Sequence, residues 1–386
     1  MSNSTFPKQT FFNVFPRFKY LRSLNISNME FVTDEFAALV GRFGLHLLEL
    51  DISYTRITDR GIKAIVVQNC NVSGVCQKLV KLNIDQSDIT CEGACAALSN
   101  LKKLIHLQFE HTAQSVYLVL QEIPDSKFKL SRLEFNEDSD GTLSDQVFAA
   151  VVIACPNAQT FSFNAFGKKS EEFFLPLTEV KELRVLQIKE HFRRGIEPHP
   201  ILNSLWPVLI HNGETLLDLE LSSVTDINVP LLLKFCPNLK KLSLINNSNY
   251  HTDLPLAAAE LKKLNPTHHE ALENVKLSSD GTSENDFLVE DLTLLLSSPR
   301  LKRFEIYSSQ NFNDDLMENL VQSDFLSSLQ TLEIGNCNDF TTDHILPLLL
   351  NNSSLRIHFE MCRYVGKYEY DRFKGKCNFK ERVTIN

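Results

Sequence analysis

Leu47-Leu48-Glu49-Leu50-Asp51-Ile52 carries apolar side chains at its first, fourth and sixth positions, and its second half alternates apolar with polar. Alternation with a period of two describes a short strand with one buried face. One such hexamer means little in a chain that is 43% apolar. The same form opens again at Leu21, Leu79, Leu104, Leu130, Ala158, Leu183, Leu216, Leu239, Leu272, Leu301 and Leu329, giving twelve copies 23 to 33 residues apart. That is a repeat, and it decides the architecture.

Between the hexamers the apolar period becomes helical. Phe36, Leu39, Val40 and Phe43 follow the first strand, Ile62, Ile65 and Val66 the second, and Leu288, Leu292, Leu295 and Leu296 recur near the end. Asp34, Asp59, Ser144 and Asn313 stand where helix N-caps belong, and Cys155-Pro156, Cys236-Pro237 and Ser298-Pro299 stop helices before the next strand. A strand–helix unit cannot cover its own apolar face, so neighbours must stack. The expected fold is an α/β solenoid, a curved horseshoe with a parallel sheet on the concave face and helices on the convex face.

The repeat replaces the two or three domains that 386 residues would otherwise suggest. Residues 1–20, with Phe11, Phe12, Phe15 and Phe18, are expected to cap the first unit, residues 21–361 to form about twelve to thirteen repeats, and residues 362–386 to form a basic, aromatic cap or tail. The longer units beginning at Leu47, Leu183 and Leu239 carry insertions, of which Ala257–Leu264 reads as a small helix. Five residues after the central apolar position, Thr55, Ser87, Asn247 and Cys337 are small polar groups suited to bonding the turn of the adjacent repeat, or simply to making the turn.

The run Leu50-Asp51-Ile52-Ser53-Tyr54-Thr55-Arg56-Ile57-Thr58-Asp59-Arg60-Gly61 resembles the cysteine-containing leucine-rich repeat, whose signature is L-x-L-x-x-C-x-x-I-T-D-x-G. Cys155-Pro156-Asn157 and Cys236-Pro237-Asn238-Leu239 resemble its helix-end step, and Glu333–Thr341 repeats the strand end with Cys337 in place. The resemblance spans roughly residues 21–361. It implies a substrate-recognition subunit of a cullin-type ubiquitin ligase, as in the F-box leucine-rich proteins and the Zyg-type receptors. Three marks of those receptors are not matched: an F-box before the repeats, an Elongin-binding box (Leu232 to Cys236 is accounted for by the repeat), and a C-terminal armadillo region. The alternatives are a ligase-independent inhibitor or assembly scaffold that wraps one protein, and a GTPase activator of the Ran type, disfavoured by the basic chain end.

The formal charge of −9 argues against nucleic acid or an anionic membrane as partner. The apolar runs, such as Leu346–Leu350, fall far short of a bilayer span, and the first twenty residues hold no uninterrupted apolar stretch. Nine scattered cysteines, an odd number, suggest a reducing compartment, cytoplasm or nucleus. No phosphate-binding glycine loop, C-x-x-C or H-E-x-x-H occurs, and Cys91, Cys95, His268 and His269 read as structural or surface residues; neither cofactor, metal nor catalysis is expected. Strand alternation instead directs Asp51, Asp85, Glu110, Glu134, Glu220, Glu305, Tyr307 and Glu333 onto the open face, the candidate site for a protein partner. Asp51, Asp85, Glu110 and Glu134 would receive a basic or mixed-charge segment, against the plainer reading of a solvated polar face.

Overall fold

The computed structural model describes residues 8–67, 76–136, 144–164, 170, 172–189, 202–225, 227–247, 270–282, 285–323, 325–337, 341, 345–362, 365 and 382–385. The chain divides into two compact units, one of Met1–Gly167 with Glu179–Glu182, the other of Lys168–Thr178 with Leu183–Asn386. The expected strand–helix repeat runs through both.

In the first unit β1 (Ser23–Asn25), β2 (Glu49–Asp51), β3 (Lys81–Asn83) and β4 (His106–Gln108) form a parallel sheet in chain order. Leu24, Leu50, Leu82 and Leu107, the central apolar residues of their hexamers, stand in one row across it. Two longer strands, β5 (Arg132–Asn136) and β6 (Thr160–Asn164), pair in the same sense. Helices α2 (Asp34–Phe43), α3 (Asp59–Val66), α4 (Cys91–Asn100) and α5 (Thr112–Glu122) pack each against the next. Phe36, Val40, Ile62, Ile65 and Val66 are buried between helix and sheet, as their spacing requires. Below β5 and β6, Phe135, Phe148 and Phe163 form one aromatic cluster, with Phe135 stacked on Phe163 at 5.0 Å and Phe148 edge-on to both.

At the amino-terminal end, where a cap is expected, aromatic side chains pack on α2. Helix α1 (Lys8–Val14) runs into a short 3₁₀ turn, and Phe12 and Phe15 both meet the ring of Phe36 edge-on at 5.2 Å. Phe18 does not join them and lies half exposed. The Phe11 side chain, the insertion helix at 257–264 and His268-His269 lie outside the described residues.

In the second unit β7 (Val185–Lys189), β8 (Asp218–Ser222), β9 (Lys241–Ile245), β10 (Asn274–Ser278), β11 (Arg303–Tyr307), β12 (Thr331–Gly335) and β13 (Arg356–Glu360) are parallel neighbours in chain order. Leu186, Leu219, Leu242, Val275, Phe304, Leu332 and Ile357 form their buried row. A further strand, β14 (Val383–Ile385), adds to β13 from the segment expected to be a cap or tail. Arg382 anchors it: its guanidinium donates to the carbonyl oxygens of Leu355 at 2.9 Å and Leu349 at 3.1 Å, bonding groups that a helix end leaves without partners.

Two sequence expectations change in detail. Ser144 and Asn313 are N-caps, accepting from the amides of Val147 and Leu316. Asp34 and Asp59 are not; Thr33 and Thr58 occupy the cap positions, and the aspartates are the first helical residues. Each aspartate serves the following repeat instead. Asp34 accepts from the amide and hydroxyl of Thr58 at 2.8 and 2.7 Å, and Asp59 from those of Thr90 at the same distances. Asp314 holds Thr341 in the same way at 2.9 and 2.6 Å. The staple explains the glycine three residues after the threonine it holds: a Cβ at Gly61 would stand 2.3 Å from Asp34 Oδ1, and one at Gly93 2.4 Å from Asp59 Oδ1. The T-D-x-G run is therefore one device, with acceptor, donor and the space between them.

The turn-ladder expectation separates the four positions. Asn247, buried, accepts from the Val224 amide at 2.7 Å and donates to the Leu221 carbonyl at 3.0 Å, joining adjacent repeats. Thr55 and Ser87 donate to carbonyls three residues back in their own turns, Ile52 and Ile84, both at 2.6 Å, because a hydroxyl is too short to cross to the neighbour. Cys337 bonds the Gly335 carbonyl locally, and its sulfur also meets the backbone of Ser308 and Ser309 in the preceding repeat.

Candidate functional site

Strands such as β2, β3, β9 and β11 bury their central apolar side chain and turn the flanking residues outward, so the open face of the sheet is a grid of side chains set by strand spacing, about 4.8 Å from repeat to repeat. One position recurs beside it. The fourth residue after the central one has a positive φ at Asn28, Tyr54, Gln86, Ser223, Asn246, Ser308, Asn336 and Met361. Short polar residues tolerate that left-handed turn; Tyr54 and Met361 are the bulky exceptions, and both project into solvent, Tyr54 with 56% of its surface exposed. Sequence spacing had not singled out either.

On the strand face of the first unit, Asp51, Asp85 and Glu110 have no lysine or arginine partner among the described residues. Asp51 folds back to accept from the Ser53 amide and hydroxyl at 3.0 and 2.7 Å, with Asn25 Nδ2 at 3.3 Å. Asp85 and Glu110 occupy equivalent positions in adjacent repeats, and Asp85 also gives its carbonyl to the Tyr54 amide at 3.1 Å. Among the described residues, the Glu110 carboxylate meets Gln86 Nε2 at 3.3 Å and His111 Nε2 at 3.4 Å. Glu134, the fourth of the expected set, differs: Arg132 Nε lies 2.7 Å from its carboxylate. A neighbouring pair, Lys81 and Glu49 at 2.7 Å, holds the Glu49 carboxyl below its usual range, mainly through that hydrogen bond.

The acidic residues of the second unit are bound into a cross-strand lattice. Lys189 approaches Glu220 at 3.4 Å. Lys276 reaches Glu305 at 3.2 Å, while Arg303 bonds Glu305 at 2.6 Å and Glu333 at 2.5 Å. The Tyr307 hydroxyl donates to Glu333 at 3.2 Å, and Lys276 Nζ sits 5.6 Å from the centre of its ring. Burial first, and then the adjacent Glu333 and Glu305 carboxylates, push the Tyr307 hydroxyl up to about 12, so it stays a donor at any physiological pH. Of the eight residues that the sequence singles out, five thus lie in satisfied pairs and three do not.

The cysteines are placed for packing. Burial pushes the thiols of Cys76, Cys155, Cys236 and Cys337 up to about 12, which keeps them protonated and weakly nucleophilic at neutral pH. Cys95 donates to the Ser115 carbonyl at 3.3 Å across to the next helix. No described helix is long and apolar enough to cross a membrane.

Residues 45–66, the span from β2 through α3, match the family model described as Leucine Rich repeat. The fold is a leucine-rich-repeat α/β solenoid. Among solved structures, this chain is similar to one in the crystal structure of the Rad7 and Elc1 complex in yeast, at 13% identity over 98% of this chain and 91% of that one, with a TM-score of 0.41. A leucine-rich-repeat protein of Leptospira interrogans is 16% identical over 96% of this chain and 85% of its own, with a TM-score of 0.44. A chain of the TLR13–ssRNA13 complex is 14% identical over 89% of this chain but only 43% of its own, with a TM-score of 0.37. No curated protein matches the sequence.

Proposed function

We propose that this chain is a non-catalytic scaffold that holds a protein partner along the open face of its strands, and that the first unit receives a basic segment of that partner at Asp51, Asp85 and Glu110. One observation carries the reading: Asp85 and Glu110 stand side by side in adjacent repeats, Asp51 lies diagonally across from Asp85, and no described lysine or arginine neutralises them. Like charges set one strand apart repel. A partner's lysine or arginine relieves that repulsion, and Tyr54 beside them offers an exposed ring for the same cation. The second unit contributes Glu220, Glu305, Tyr307 and Glu333 as a pre-paired polar surface, suited to hydrogen bonding rather than to charge capture.

The finer role is recognition of substrates for a cullin-type ubiquitin ligase. Its support is the T-D-x-G run at Thr58–Gly61 and the cysteine–proline helix ends, which resemble the repeat of those receptors. Affinity purification of the full chain from cytoplasmic and nuclear extracts, followed by mass spectrometry, tests both levels. The double variant Asp85→Lys/Glu110→Lys should lose the stoichiometric protein partner, with association weakened on the order of ten- to a hundredfold and its salt dependence reduced. Undiminished recovery would remove the site. Recovery of cullin with an adaptor subunit supports the ligase role; one partner without either favours the assembly scaffold.

A further inference from the structure

On the helix side of the first unit, between the ends of α4 and α5 and the loop that leads to β5, lies a cavity of about 320 Å³. Its floor is apolar, made of Leu101, Val119, Phe128 and Leu130, all buried. Its rim is basic: Lys102, Lys127 and Lys129 line it, and Ile123 stands at its mouth with 53% of its surface exposed. The cavity exists because this connection is long. From α4 the chain reaches β4 through residues 101–105, whereas from α5 it takes residues 123–131, and the Phe128 amide bonds the Ala154 carbonyl at 2.8 Å, which pins the loop outward.

The lysines belong to a longer row. Lys78, Lys103 and Lys129 each precede the first leucine of their hexamers, so stacking sets them along the amino-terminal edge of successive repeats, all exposed. Lys78 meets only His46, at 3.3 Å. Lys127 gives its ammonium to the Ile153 carbonyl at 3.1 Å. None of Lys102, Lys103 and Lys129 has an ion-pair partner among the described residues, and Glu122 and Asp125, which flank Ile123, pair with none of them. An anionic partner relieves the repulsion along such a row and gains most at low salt. An apolar hole inside it adds a second requirement: the anion must carry a greasy side chain.

We infer that this lysine-rimmed cavity is a docking groove for an acidic segment of a protein partner that inserts one large apolar side chain between α4 and α5. The site is separate from the strand face, and it stands or falls without Asp85 and Glu110.

The test is fluorescence anisotropy on the full chain with a labelled short peptide of aspartate and glutamate around a leucine pair. The acidic peptide should bind, its twin with the leucines changed to alanine should bind at least about tenfold more weakly, and Lys102→Glu/Lys129→Glu should weaken the parent peptide by about ten- to a hundredfold. Ile123→Glu should do likewise, whereas Asp85→Lys/Glu110→Lys should leave this peptide's binding intact; unaltered thermal unfolding confirms that each variant folds. Equal binding of the alanine twin, or unchanged binding by the lysine variants, overturns the groove. Binding of laurate in the absence of peptide binding assigns the cavity to an anionic amphiphile and overturns the peptide occupant.

Discussion

The open faces of the two units carry similar residues in different states of satisfaction. Asp51, Asp85 and Glu110 in the first are answered only by short polar groups and His111, while Glu220, Glu305 and Glu333 in the second are locked to Lys189, Lys276 and Arg303. What decides is the neighbouring strand. Lys276 faces Glu305 directly in register, and Arg303 reaches both Glu305 on its own strand and Glu333 on the next. In the first unit the residue in register with Asp51 is Asn83, which brings no charge. A column of carboxylates read along one chain therefore overstates the free charge, because the partner sits a full repeat away. The seams are partly shared: Asp–Thr staples join α2 to α3 and α3 to α4 in the first unit and recur at Asp314 and Thr341 in the second, where a buried asparagine rung also joins β8 and β9.

The largest expected effect separates the units by pH. The third residue of α3 is Gly61 and that of α4 is Gly93; in the second-unit helix Val289–Leu296 it is Asp291, buried, and burial raises its carboxyl to about 7. The folded chain keeps this proton up to about pH 7, and the unfolded chain releases it near 3.8, where an ordinary aspartate titrates. Between those values the folded state binds more protons, so stability falls as pH rises and levels off above 7, by up to about 4 kcal/mol. Asp291→Asn should flatten that fall in urea titrations at several pH values; an unchanged slope would show the carboxylate to be ionised where it lies. Next comes Asn247→Ala. It leaves the Val224 amide and the Leu221 carbonyl buried without their partner and should cost about 2–4 kcal/mol, with amide exchange quickened around β8 and β9. Gly61→Ala drives a methyl into Asp34 Oδ1 and the Ile57 side chain and should cost about 1–3 kcal/mol, with exchange quickened in α3 and sparing the second unit.

Most of the fold was legible because the repeat is an apolar pattern, and apolar burial acts through spacing alone: every hexamer from Leu21 to Leu329 became a strand or the approach to one. The strand at Val383–Ile385 was not legible, since three residues carry no periodicity and it is held by Arg382 on the carbonyls of the preceding repeat. The staples were half legible. Asp34 and Asp59 stood at helix starts, where a cap is the local expectation, yet their acceptors serve threonines 24 and 31 residues further on. For the candidate site, alternation could say which polar residues leave the buried row but not which of their charges were already paired across the strands.

The smallest expected effect probes that lattice directly. Glu305→Gln removes one carboxylate from between Lys276 and Arg303, leaving Arg303 on Glu333 and keeping a side chain of the same shape. Lys276 and Arg303 are each nearly half exposed, so water replaces much of what is lost, and stability should change by less than about 1 kcal/mol. The more telling reading is in binding. With Glu305 neutral, the patch gains net positive charge, so a basic partner that used the second unit for charge capture would bind more weakly and with a shallower salt dependence. If the first unit alone captures the cation, Glu305→Gln should leave both association and salt slope unchanged while Asp85→Lys/Glu110→Lys alters both, and a matching loss from the two variants would mean that the lattice charges are not spent after all.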